Sequence, residues 1–352
     1  MKWRTQKQTS GDNSKNLNVG RDAYFGLSYQ DVKVVAKDAA MEVFRDSFTK
    51  LTHDALSVAV NRAEELTENF LSELRDRQPE GFKNLGDPGV QSAIFDAQAT
   101  YAKTGDAKLA DMLVGILVDR VVSDTRDVTQ LSLETALRAA QSISGVQVSL
   151  LTCNFLVQRV AFADVETVED ASRKLIEALE PFQEDLLKAS PLDPDYLVGV
   201  GCLISASGSL PPEHFLGMNY PGLFSEGFTL QDFPDGRELI ETTLVRPHAE
   251  KIGRYNLRVV SKADLEILIQ REHLEHLSQI ADRILTTTIQ QDRLILRKVL
   301  QVEPSLAPFF DTWGKLGMSS YLNTPTAIVI AHANTRRIAG ENFKTPLSHW
   351  IP

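Results

Sequence analysis

Cysteine is nearly absent: Cys153 and Cys202 are the only two in 352 residues. Two cysteines cannot make a disulfide framework, and both lie in apolar runs, which fits buried thiols in a reducing compartment. Phosphate loops are also missing. No G-x-x-x-x-G-K-S/T occurs, and Gly199-Val200-Gly201 lacks the third glycine and the strand-rich context of a dinucleotide fingerprint. No G-x-S-x-G elbow is present; Ile204-Ser205-Ala206-Ser207-Gly208 shares only its composition. Long uninterrupted apolar runs are lacking too. The best candidate for a membrane span, residues 143–163, is broken by Gln147, Asn154, Gln158 and Arg159. An arginine at that depth costs roughly 2.5–3.5 kcal/mol, a penalty a buried core helix does not meet. Residues 197–206 make about half a span. The polar start, residues 1–14, has no apolar stretch of the secretory kind. These absences predict a soluble, cytoplasmic globular protein that does not enter membranes.

Basic charge is in deficit. Lys plus Arg is 37 against 47 for Asp plus Glu, a formal net charge of −10, which argues against a general nucleic-acid binder. The excess is local. Residues 164–195 hold ten acidic side chains against Arg173, Lys174 and Lys188, a net −7. The first thirty residues reverse the sign: Lys2, Arg4, Lys7, Lys15 and Arg21 against Asp12 and Asp22 give +3. Two solvated faces that never meet account for this asymmetry, as does mutual attraction or partner steering. A protein partner on the acidic segment would associate in a salt-sensitive way.

What is present is mostly helical periodicity. Val32, Val35, Ala36, Ala39, Val43, Phe44 and Phe48 recur at a 3.6-residue period after Ser28, a good N-cap. Leu56, Val60, Ala63, Leu66, Phe70 and Leu74 mark a second long helix; the two read as a helical hairpin or one arm of a coiled coil, the hairpin by default since fewer than four clean heptads are present. Asp87-Pro88 starts a third, with the cap and the proline in the positions a helix start prefers, and Thr104-Gly105-Asp106 ends it. Further helices follow over 109–121 and 131–140, and residues 146–162, apolar nearly all round, predict a central buried helix. Prolines and glycines crowd residues 189–236, whose fold the pattern leaves open apart from a short buried helix over 197–206. Helical patterning resumes over 237–255, runs through 262–300 and ends in 325–339. No 20–50-residue repeat of a solenoid occurs. The expected fold is mainly α, one or more multi-helix bundles preceded by a short N-terminal β-hairpin or strand element. The expected division is a Gly/Asn-rich element at 1–26, helical domains at 27–163 and 196–352, and an acidic boundary at 164–195.

The candidate sites are few. Glu272, His273 and His276 would share one face of a continuous helix and could hold a divalent cation. The spacing is not H-E-x-x-H, however, and a solvated charged face explains the same residues. No metal or other cofactor is called for, and no catalytic residue is assigned. Arg336 and Arg337 fall in the last turn of a helix, where cations complement the dipole. The opening stretch, with Gly11, Asn13, Asn16, Leu17, Asn18, Val19, Gly20 and Asp22, reads as a polar tail or as a short strand pair whose edges join another copy.

Three stretches together resemble an uncharacterised family of mostly helical bacterial proteins. They are Ser10 to Ser14 with Asn18 to Asp22 and Gly26 to Val32; Asp87 to Gln98 through Asp106 and Leu113 to Arg120; and Ile328 to Asn334 with Trp350-Ile351. The tail departs from that pattern at Asn323-Thr324-Pro325-Thr326-Ala327, where a Leu-Thr followed by a small residue and Gly is expected. Similar Gly/Asn-rich openings precede bacterial proteins linked to anti-phage or conflict systems. The resemblance implies no catalytic residues. It favours an ordered β-element at 1–26 that pairs subunits into a homo-oligomer, in a non-enzymatic interaction, scaffold or sensor protein. The alternative is an enzyme or toxin-like effector with a metal-dependent or unrecognised site in the C-terminal half.

Overall fold

A computed structural model describes residues 53–351, together with helical Asp31 and Val34. The Gly/Asn-rich start, with Gly11, Asn13, Asn16, Leu17, Asn18, Val19, Gly20 and Asp22, lies outside the described residues.

Helix α1 (His53–Arg77) buries Ala59, Ala63, Leu66, Phe70 and Leu74, the three- and four-residue spacing of a single helix face. Helix α2 (Pro88–Thr104) starts where the sequence predicts. The Asp87 carboxylate accepts from the Val90 N–H at 3.0 Å, and Pro88 fills the first turn. It stops at Gly105, whose φ of 62° is left-handed. A Cβ there would also push the movable Arg62 guanidinium aside, but it is the left-handed φ that favours glycine. Asp106 and Asp127 cap α3 (Ala107–Val121) and α4 (Val128–Ala139) in the same manner.

Helix α5 (Gly145–Arg159) is the predicted central helix, buried at every position from Gln147 to Gln158. Ser144 and Gln147 cap it reciprocally. The last helix, α15 (Pro325–Ala339), returns from the far end of the chain to pack against α5, α4 and α3. Thr324 caps it and Pro325 opens it, so the turn that departs from the resemblance is a helix start here. The polar residues that interrupt the apolar run of α5 tie it to its neighbours. Asn154 donates to the Asn323 side chain at 2.7 Å, Gln158 to the Tyr321 carbonyl at 2.8 Å, and Asn334 to Thr152 at 2.9 Å.

Between α5 and α15 the chain makes α6 (Val168–Leu179), α7 (Gln183–Lys188) and α8 (Asp193–Gly199), then β1 (Leu203–Ser205). After α9 (Pro212–Asn219) and α10 (Arg237–Ile240) come β2 (Val245–Pro247), β3 (Tyr255–Leu257), α11 (Lys262–Glu272), α12 (Ser278–Thr287), α13 (Asp292–Val302), α14 (Ala307–Lys315) and β4 (Tyr321–Asn323). Short 3-10 turns join several of these. The two sheets described are antiparallel ribbons: β1 with β4, Ile204 opposite Leu322, and β2 with β3, Arg246 opposite Asn256. The larger core draws side chains from Leu66 to Ile351, on both sides of the acidic segment. A smaller one, from Phe228 to Leu285, encloses α10–α12 and the β2–β3 ribbon. The fold is mainly α, and among the described residues no helix is long and apolar enough to cross a membrane.

Three expected helices differ. The helix expected over 197–206 is displaced. Pro194 begins α8 early, Gly201 at φ 78° ends it, and residues 203–205 extend to pair with a strand 118 positions away. Residues 237–255 hold only four helical positions before a hairpin, since Pro247 cannot donate and Gly253 turns at φ 79°. The stretch 262–300 is three helices, broken first at His273 with φ 56°.

Candidate functional site

A cleft of about 810 Å³ opens between α1, α3, α15 and the C-terminal segment. That size suits a small ligand. Its cations are Arg77, Arg336, Arg337 and Lys344, and its lining carboxylates are Glu73 and Asp111. Beside it stands Asp119, whose carboxylate takes Arg77 at 3.0 Å and Arg336 at 3.1 Å. Arg77 also meets Glu73 at 3.2 Å. One carboxylate on α3 thus clamps the last turns of α1 and α15. Both guanidiniums answer the negative helix C-termini at which they stand, as the sequence position of Arg336 predicts. Arg337 instead donates twice to the Asn334 side chain, at 3.1 and 2.9 Å. The charges of this cleft are largely answered from within the protein, which makes it a clamp between helices before it is a trap for an anion.

Asp119 is a half-buried acid, and its pKa is pushed up from 3.8 to about 6. Loss of solvent raises it most; Arg77 opposes the rise and Glu73 adds to it. Sequence reading did not single this residue out. Its one local signal is a charged pair, Asp119-Arg120, directly after the apolar run Met112–Val118; Arg120 is itself buried and donates twice to Glu134. Nearby His332 is buried with its Nε2 2.9 Å from the Thr345 carbonyl, so Nε2 carries the proton, and burial lowers its pKa.

The predicted site residues fall elsewhere. His273 is the left-handed cap that ends α11, so Glu272, His273 and His276 do not share the helix face expected of them. His276 lies on a 3-10 turn with its Nε2 2.9 Å from Glu238, and Glu272 pairs with Arg271. Among the described residues no three His, Cys, Asp or Glu side chains converge to hold a metal. Cys153 and Cys202 are both free and buried, as expected. Burial raises both thiols, Cys202 to about 11, which favours packing over nucleophilic chemistry.

A second feature is an exposed apolar stretch. Leu187 is 72% exposed, Leu192 74%, Tyr196 46% and Ile204 51%, and Val198 is exposed as well. These sit on α7, at the N-cap and within α8, and on β1, in and just beyond the acidic segment, with α8 packed on β1. Asp195 accepts from the Tyr321 hydroxyl at 2.7 Å, joining α8 to β4. Exposed apolar groups gathered in one region mark contact surfaces more often than scattered ones do.

No curated protein and no solved structure matches this chain. A protein-family model described only as ":-like" matches residues 26–351, nearly the whole length, and the chain belongs to that family.

Proposed function

We propose that this chain is a non-enzymatic, self-associating helical interaction or sensor protein of the bacterial cytoplasm, working in an anti-phage defence system. The place in defence rests on the resemblance of its Gly/Asn-rich opening. The interaction role rests on one structural observation: five large apolar side chains stand exposed between Leu187 and Ile204, among carboxylates that a purely solvated face would not intersperse with Leu and Ile. Self-association is assigned to residues 1–26. Light scattering of the full chain, beside a variant lacking residues 1–25, tests this. The full chain should exceed the 39.1 kDa of one copy, and the deletion should return it towards that value. Equal masses for the two would refute the proposal.

A further inference from the structure

We infer that the groove between α3, α5 and the end of α15 binds a small monocarboxylate with an apolar body, and that Arg337 holds its carboxylate. The site is separate from the self-association proposed above, and neither stands or falls with the other.

The first observation is the arginine. Arg336 is answered by Asp119, and Arg77 by Asp119 and Glu73. Arg337 has no carboxylate within 4.0 Å among the described residues; its partner is the neutral Asn334 side chain. The residue is half-buried, and a guanidinium drawn from water without a counter-charge is costly. It is also held in place. The Asn334 oxygen accepts from Nε and Nη2, the Asn334 amide donates to Thr152 at 2.9 Å, and Thr152 donates to the Val148 carbonyl at 2.7 Å. Thr152 and Asn334 are both buried. A cation that only answers a helix C-terminus needs no such chain. Two buried side chains in series fix one orientation, as a preorganised binding group requires. With the Nε edge occupied, the Nη1–Nη2 edge keeps the paired N–H groups that match a carboxylate.

The second observation is the space beside it. Arg337 and Asn334 line a groove of about 190 Å³ whose apolar walls include Leu109, Met112, Ile143, Val148, Phe182 and Ile338. An apolar cavity of about 150 Å³ accommodates benzene, so this groove holds a body of that size beside a carboxylate. Its own carboxylates are engaged. Asp106 caps α3 by accepting from the Leu109 N–H at 3.1 Å, and Asp185 accepts from the Ser149 hydroxyl at 2.6 Å. Neither pairs with Arg337, so a ligand supplies the missing negative charge. Exposed Lys108 adds a second cation to the lining. Apolar walls with one fixed guanidinium suit a single acid on an apolar body, whereas a polyanion would lie against Asp106 and Asp185.

Calorimetric titration of the full chain tests this with phenylacetate, cyclohexanecarboxylate and hexanoate, beside their amides and acetate. At least one of the three acids should bind saturably, one per chain, and at least tenfold tighter than its amide or acetate. Arg337→Gln should weaken that binding at least tenfold, with circular dichroism and Tm unchanged. If none of the acids binds, if an amide binds as tightly as its acid, or if the folded variant binds like wild type, the inference is overturned. The acid–amide comparison uses wild type alone. Should Arg337→Gln unfold, Arg337→Lys takes its place: it keeps the charge, loses the paired N–H edge, and should bind at least threefold more weakly. Undiminished binding by that variant would also overturn the assignment.

Discussion

At the residue scale the clearest physical conflict is at Asp119. Two arginines hold its carboxylate, yet burial prevails and its pKa rises to about 6. A carboxyl whose pKa is 3.8 unfolded and about 6 folded takes up a proton on folding between those values. Its favourable contribution is therefore fully present below about pH 4 and lost as pH rises through about 6. The shift of 2.2 corresponds to about 3 kcal/mol, at roughly 1.4 kcal/mol per unit. His332 works in the opposite sense. Its pKa is lowered by burial, so the stability it gives is kept above about 6.5 and lost as pH falls below that value. The two dependences overlap, which makes the difference between variants the informative quantity. Urea unfolding of wild type and Asp119→Asn at pH 4.5 and pH 7 should show the wild type losing about 2 kcal/mol relative to the variant across that range, because at pH 4.5 most of the unfolded carboxyl has already ionised. A difference that is flat, or that grows with pH, would mean that Arg77 and Arg336 outweigh burial. The clamp then reads as a device that fixes where α1 and α15 sit, since buried ion pairs often add little net stability.

At the element scale the central contact is between α5 and the β4–α15 turn. Asn323 accepts from Asn154 and donates to the Leu151 carbonyl at 3.0 Å, and both asparagines are buried. Asn323→Ala should cost about 2–3 kcal/mol, because it strands the Asn154 amide away from water and leaves the Leu151 carbonyl with its helical partner alone. Adding Asn154→Leu should recover part of that loss: it removes the unmet Asn154 amide, and Gln158, which then loses Asn154 as acceptor, keeps the Tyr321 carbonyl. A full loss that persists in the double variant, measured by chemical denaturation, would place the cost in packing instead. The same pair of elements shows what the sequence makes legible. The caps at Asp87, Ser144 and Thr324, the stop at Gly105 and the buried run of α5 are local, and each acts within four residues of the side chain that signals it. The strands are not local. Leu203–Ser205 becomes β1 only because Tyr321–Asn323 lies beside it, and no periodicity of three residues announces a partner 118 positions on. Asp119 is unreadable for the same reason: its meaning comes from Arg77 and Arg336, 42 and 217 positions away. The Glu272, His273 and His276 set needs a continuous helix across His273, which instead adopts φ 56° and ends it.

At the scale of the whole molecule the chain closes on itself unevenly. The larger core begins at Leu66 and ends at Ile351, so α15 completes a bundle begun by α1–α5. Residues 228–285 form their own smaller core, a dozen buried side chains around Phe228, Leu239, Ile284 and Leu285. A small core buries less apolar surface per residue and supports less stability. Its two-stranded β2–β3 ribbon is marginal without the helices beside it, and its hairpin tip is open, with Ile252 fully exposed next to Gly253. Local unfolding should therefore start here. In native-state hydrogen exchange, amides of β2, β3, α11 and α12 should open at lower denaturant than those of α5 and α15, and limited proteolysis should cut first near Ile252-Gly253. Exchange in a single cooperative step, with both groups of amides opening together, would show that the two cores are energetically one. The distinction bears on the proposed assembly. The exposed apolar side chains between Leu187 and Ile204 stand on segments anchored in the larger core by Leu186, Leu197 and Leu203, so opening of the smaller core should leave the mass measured by light scattering unchanged.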